Sequence, residues 1–250
     1  MYRYFYPIGQ GAFYAEKHEK FTIVYDCGDL KRTKKAKSIV QRAFQKDEII
    51  DILFISHLDF DHVSQINTLK SSVKKIRRVI LPLLSKENKT LLSVAYKAMD
   101  EKALSRLIID PVSFFGDSTQ ITYVTTEVSN NSIELDLEEL SGRGEIYSGA
   151  ILKSREVPDW VLIPYNIKFE VRSKIFKKEL HKAGFDLDRL LNDQDYVENI
   201  LIYKLSKNKL KSVYEKLDGG INENCMLLYS GPSNEKISDS PQTHLIFLVY

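Results

Sequence analysis

The apolar positions of the first third of the chain change period in a regular order. Tyr2–Ile8 and Ala12–Ala15 alternate as strands around Gly9-Gln10-Gly11, and Phe21–Tyr25 is a third, apolar and β-branched strand that ends in Asp26-Cys27-Gly28. Together they predict a meander. From Lys31 to Lys46 the period lengthens to that of an amphipathic helix, with Ile39, Val40 and Phe44 on one face. Ile52-Leu53-Phe54-Ile55 is fully apolar and reads as a short buried strand. His57–His62 follows it, then a helix over Val63–Leu69 and another apolar strand, Val79–Leu81, closed by Pro82. Strand, loop, helix and strand in this order predict an α/β fold.

Beyond this point the pattern predicts a helix over Leu91–Leu107, a strand over Ile121–Thr126, an exposed polar loop over Asn130–Gly144 and a strand over Trp160–Asn166. Nearly all of 174–217 has helical character and reads as an insertion covering one edge, ended by Gly219-Gly220. Two strands follow, Cys225–Ser230 and His244–Tyr250, with Gly231-Pro232-Ser233 opening their connection. No repeat or linker divides the chain, so one domain is expected over 1–250.

A chain of 250 residues with 43% hydrophobic content can build a sizeable core. Its 36 basic and 34 acidic residues nearly cancel, which excludes a general nucleic-acid coat and requires any phosphate binding to be local. Lys31–Lys37 and Lys70–Arg78 are the two basic clusters available for it. Cys27 and Cys225 are far apart and form no C-x-x-C pair, so neither a disulfide framework nor a zinc knuckle is indicated, and a cytoplasmic setting fits. No run approaches the roughly 18 apolar residues of a membrane span, so no membrane partner is expected.

The chemistry lies in Ser56-His57-Leu58-Asp59-Phe60-Asp61-His62. Imidazole nitrogens and carboxylate oxygens are ligands for a divalent cation, and a tight turn after a buried strand can aim them at one small volume. Two carboxylates this close repel each other, whereas a cation between them keeps both ionised. The pattern H-x-D-x-D-H has a chance occurrence of roughly one in two thousand at this composition and length, which makes it a specific signal.

This stretch resembles the metallo-β-lactamase superfamily, whose H-x-H-x-D-H signature follows a short buried strand. With Asp59 at the second ligand position it resembles most the hydrolase domain of bacterial competence DNA-uptake (ComEC-like) proteins. Ile8-Gly9-Gln10-Gly11-Ala12 is similar to that family's opening glycine turn, and Val24–Gly28 to its strand ending in an aspartate–any–glycine turn. The resemblance implies an αββα sandwich and hydrolysis through a metal-bound hydroxide, with zinc or manganese, up to two ions. It places His57 and Asp59 on one metal and Asp61 and His62 on the other, with Asp61 orienting the attacking water. Asp26 reads as a turn-former or a support beneath the ligands.

Asn224–Ser230 with His244–Tyr250 resembles the strand pair that in the family leads to a further bridging aspartate, beyond Tyr250. The fold is therefore expected to be incomplete at its C-terminus, with a protein partner or a second copy covering the unfinished sheet. His18, His181 and His244 read as surface or core histidines. Three functions follow: a phosphodiesterase acting on nucleic acid or a nucleotide, a hydrolase of a small thioester, lactone or lactam, and a non-catalytic binding or regulatory module.

Overall fold

The structure is a computed structural model that describes residues 1–140, 144–217 and 224–233. The meander forms as the alternation predicts: β1 (Tyr2–Phe5), β2 (Tyr14–Lys17) and β3 (Thr22–Tyr25) pair antiparallel in succession. From β3 onward the pairing within this sheet is parallel. α1 (Lys34–Ala43) crosses to β4 (Ile49–Phe54), and the short helices α2 (Phe60–Val63) and α3 (Ile66–Ser72) lead to β5 (Lys75–Pro82). α4 (Lys86–Ala98), α5 (Lys102–Ile109) and α6 (Pro111–Phe115) return the chain to β6 (Gln120–Val128), again parallel to its neighbour. β7 (Glu134–Asp136) leaves for a second sheet before β8 (Glu145–Ser148) completes the first, in the order β1-β2-β3-β4-β5-β6-β8. The second sheet is β11-β10-β9-β7, from β9 (Ile151–Lys153), β10 (Trp160–Lys168) and β11 (Asn224–Pro232). Between β10 and β11 run α7 (Glu170–Lys182), α8 (Leu187–Asn192), α9 (Gln194–Ile202) and α10 (Lys204–Lys216).

The period of two along the central strands divides the core into layers. Val24, Leu53, Ile55, Val79 and Leu81 face one way and join the buried side chains of the helices. Ile23, Tyr25, Ile52, Phe54 and Ile80 face the other way and meet Leu152, Leu162, Met226 and Leu228 of the smaller sheet. Every described helix except α2 and α8 buries at least two residues of the first cluster; α2 contributes Val63 and α8 contributes Leu190. Helices, larger sheet and smaller sheet are thus three successive layers of an α/β sandwich. The outer face of the smaller sheet carries a small cluster of Val161, Ile163 and Tyr229.

A polar pin joins the two sheets. Glu16 on β2 is fully buried and accepts hydrogen bonds from the Tyr14 hydroxyl (2.6 Å) and the Ser230 hydroxyl on β11 (2.5 Å), with Arg3 Nε at 3.2 Å. Trp160 Nε1 donates to Ser230 Oγ (2.8 Å), and His18 packs edge-on to the Trp160 ring.

Four expectations change. The helix over Leu91–Leu107 is two helices, because Asp100 takes a left-handed backbone (φ 64°) and ion-pairs with Lys207. The loop over 130–144 contains β7, a strand of three residues with Leu135 buried, too short to show an alternation. The insertion is four helices beginning at Glu170, cut where Asp186 and Asp193 cap α8 and α9, and it packs on α4 within the helical layer rather than over a sheet edge. In the Lys70–Arg78 cluster, Arg78 is buried and donates to Thr122, Gln120 and the Leu137 carbonyl, while Arg77 pairs with Asp51. Arg78 is thereby withdrawn from solvent, whereas Lys74, Lys75 and Arg77 remain exposed. Among the described residues no helix is long and apolar enough to cross a membrane. The predicted strand His244–Tyr250 lies outside the described residues.

Candidate metal centre

The carboxyl ends of β3 and β4 lie side by side, with Tyr25 opposite Phe54, and the chain turns away from both. Ligand sites in parallel sheets favour this end of the strands. The turns interlock through their backbones: Asp26 N–H donates to Phe54 O (2.9 Å), Cys27 N–H to His62 O (2.9 Å) and Gln65 N–H to Cys27 O (3.0 Å). The glycine turn after β1 closes on the same point, with Gly28 N–H on Ala12 O (3.0 Å) and Ala12 N–H on Asp61 O (3.3 Å). A Cβ on Gly28 would stand 2.3 Å from Asp61 O, and one on Gly11 would stand 2.2 Å from Gly28 O. Glycine is required because three backbones meet with no room for a methyl group.

On this base, ligand atoms of His57, Asp61 and His62 converge to within 4.8 Å of one another. Asp59 stands beside the group, with Oδ2 3.6 Å from His57 Nε2. His62 Nε2 is 3.5 Å from Asp61 Oδ2, and the two imidazole rings are 3.8 Å apart. Beneath them lies Asp26, fully buried, with a left-handed φ of 56°. Its Oδ1 accepts the Ser56 N–H (2.7 Å), and its Oδ2 accepts the Ser56 hydroxyl (2.6 Å) and His62 Nδ1–H (2.8 Å). These bonds hold a backbone conformation that costs about 1–3 kcal/mol in a residue with a Cβ.

Proton bookkeeping fixes the tautomers. The single Ser56 hydroxyl hydrogen goes to Asp26, so Ser56 Oγ accepts from His57 Nδ1–H at 2.8 Å. His62 Nδ1–H is likewise engaged by Asp26. Both imidazoles are left with the Nε2 lone pair free, which is the form a metal ligand takes. Burial, with the neighbouring His62 and Arg172, pushes the His57 pKa well below its usual value and keeps the ring neutral. For His62, burial also acts downward, but the charge and hydrogen bond of Asp26, then Asp61 and Asp59, outweigh it and the pKa rises. Three carboxylates around two imidazoles leave an excess of negative charge that a divalent cation neutralises. The donor set fits such an ion.

All four residues marked by the motif lie on this loop, and three of them converge. Asp26, readable only as a turn-former or support, is the hydrogen-bond partner that orients His62. Sequence reasoning missed the roles of Ser56, Tyr96 and Cys225. The Tyr96 hydroxyl donates to Leu58 O (2.6 Å), and Cys225 Sγ lies 4.0 Å from His57 Nδ1. The sequence marks Ser56 only as a neighbour of His57, and nothing local marks the other two, which arrive from α4 and β11. His181, on α7, is exposed and apart from the site. Asp61 lines two cavities: one of about 370 Å³ with Phe5, Tyr6, Gln10 and Phe13, and one of about 350 Å³ with Phe60, Met99, Lys211 and Tyr214.

No protein-family model matches the chain, and no curated protein matches it. Among solved structures, human tRNase Z, short form (ELAC1), aligns with a TM-score of 0.31 and 13% identity, over 66% of this chain and 60% of that one.

Proposed function

We propose that this protein is a metal-dependent hydrolase of the metallo-β-lactamase type that cleaves a phosphodiester or a related ester. The observation that carries this reading is the convergence of His57, Asp61 and His62, with both Nε2 lone pairs kept free by the hydrogen bonds of Ser56 and Asp26. His57 with Asp59, and Asp61 with His62, would hold one or two divalent ions, zinc or manganese by donor type. A cation held there supplies Lewis-acid polarisation of the ester oxygen and acidifies water. Asp26 fixes the orientation and tautomer of His62, and Ser56 does the same for His57. Asp61 has the most accessible side chain of the buried carboxylates at the centre and lines the cavities on both sides, so its carboxylate can orient an entering water and accept its proton. Nucleic acid as substrate draws support from the likeness of the H-x-D-x-D-H stretch and the glycine turns to competence-protein hydrolase domains.

The test is elemental analysis of the purified protein and of His57→Ala/His62→Ala, followed by assays with bis(p-nitrophenyl) phosphate and single-stranded DNA. Stoichiometric metal that disappears in the variant, with phosphodiesterase activity that disappears alongside it, is the expected result. A folded protein without metal would leave the fold to a binding role, and activity on a thioester or lactone alone would move the substrate class.

A further inference from the structure

One cavity lies away from the candidate metal ligands. It measures about 540 Å³ and opens between the α4–α5 pair and the α9–α10 pair. Lys97, Lys102, Arg106 and Lys207 line it, against two carboxylates, Asp100 and Asp110. The lining thus carries two more basic side chains than acidic ones. Both carboxylates are already occupied. Asp100 holds Lys207 at 2.5 Å, and Asp110 caps α6 by accepting the Ser113 N–H at 2.9 Å. Lys97 and Lys102 have no carboxylate partner among the described residues.

The deeper lining is hydroxylic. Ser93 on α4 and Ser105 on α5 are both buried and share one hydrogen bond of 2.8 Å. One bond uses one of the two hydroxyl hydrogens, and the other has no acceptor among the described residues. A buried donor without an acceptor is costly, and a ligand oxygen would satisfy it. Ile109 and Leu201 supply apolar wall, so the space suits an anion that carries an organic group.

We propose that this cavity is a binding site for a phosphate ester, with Lys97, Lys102 and Arg106 on the phosphate oxygens and the Ser93–Ser105 pair donating the spare hydroxyl hydrogen. The phosphate belongs either to a free mononucleotide or to the backbone of a nucleic-acid strand. The second source is open because residues lining this cavity alternate in the chain with residues lining one of the cavities at Asp61. Met99, Glu101 and Lys211 line that one, while Asp100 and Lys207, their neighbours in the chain and on α10, line this one. Binding here does not depend on the hydrolase reading.

The experiment is calorimetric titration of adenosine 5′-monophosphate into chelator-treated protein in phosphate-free buffer, so that no bound metal can take the phosphate. Wild type is expected to bind, Lys97→Ala/Lys102→Ala to bind roughly tenfold more weakly or worse, and Ser105→Ala to bind measurably more weakly. Both lysines are exposed, and unchanged circular dichroism checks that the fold survives. The control is Lys34→Ala/Lys35→Ala, which removes the same charge from the exposed face of α1. Displacement of the mononucleotide by oligothymidylate identifies the strand backbone as the source, and binding without displacement identifies the free ester. No binding to wild type, equal binding to Lys97→Ala/Lys102→Ala, or an equal loss in the α1 control would each overturn the site.

Discussion

At the scale of single residues the centre depends on atoms that support the ligands as much as on the ligands. Asp26→Asn keeps the volume but cannot hold the negative charge under His62, and metal affinity is expected to fall roughly 10–100-fold, read by competition with a chromophoric chelator. Unchanged affinity would show that Asp26 only shapes the turn. Gly28→Ala drives a methyl group into the backbone at Asp61 and should cost about 3 kcal/mol or more in denaturant unfolding. Gly144→Ala meets nothing within 4 Å and should stay within about 0.5 kcal/mol. The four motif residues were legible because their types and spacing are chemical statements in themselves. The role of Asp26 was half legible: the sequence shows an aspartate before a glycine, and only the register of β3 against β4 brings it under a histidine 36 positions later.

Among elements, α4 ties the helical layer to the metal loop. The buried hydroxyl of Tyr96 donates to Leu58 O and lies 3.3 Å from the Tyr214 hydroxyl of α10. Tyr96→Phe strands that carbonyl, and a loss of about 1–3 kcal/mol in unfolding free energy is expected, together with weaker metal retention on dialysis. Loss of stability with metal fully retained would separate the helix from the loop. The strands up to β5 were readable from alternation or from short apolar runs and α1 from its period of about 3.6, whereas the helix expected over Val63–Leu69 is two, α2 and α3, parted at Ser64-Gln65. The stretch after β5 was less so. Apolar periodicity runs unbroken through Asp100, and its left-handed backbone is set by contacts rather than by the local pattern. β7 exists through its pairing with β9, with a single buried leucine to announce it. The cuts at Asp186 and Asp193 did carry a local signal, since aspartate is a favoured helix cap.

Across the whole molecule the two sheets are held by a long-range polar pin, and one histidine makes that pin sensitive to acid. Burial pushes the His18 pKa below its usual 6.5; Glu16 opposes this, while the N-terminal amine and Arg3 add to it. The unfolded chain therefore binds the proton more readily than the folded one. Stability is fully present above about 6.5 and falls as pH drops through that value toward the lower folded one. His18→Gln should flatten this part of the profile in thermal unfolding between neutral and mildly acidic pH, and an unchanged slope would place the acid sensitivity elsewhere. The layered α/β architecture was legible as a class, but the pin was not, because its members come from β1, β2, β10 and β11. The metal loop has a similar dependence on distant chain, since Met226 N–H donates to Ser56 O (2.7 Å) across 170 positions. During synthesis His57 to His62 leave the ribosome long before the strand that braces them, and a nascent chain passes through a stage in which these side chains sit on an unbraced turn. An ion held there, as proposed, would take its final geometry only late in biogenesis, after the loop has emerged without the strand that shapes it.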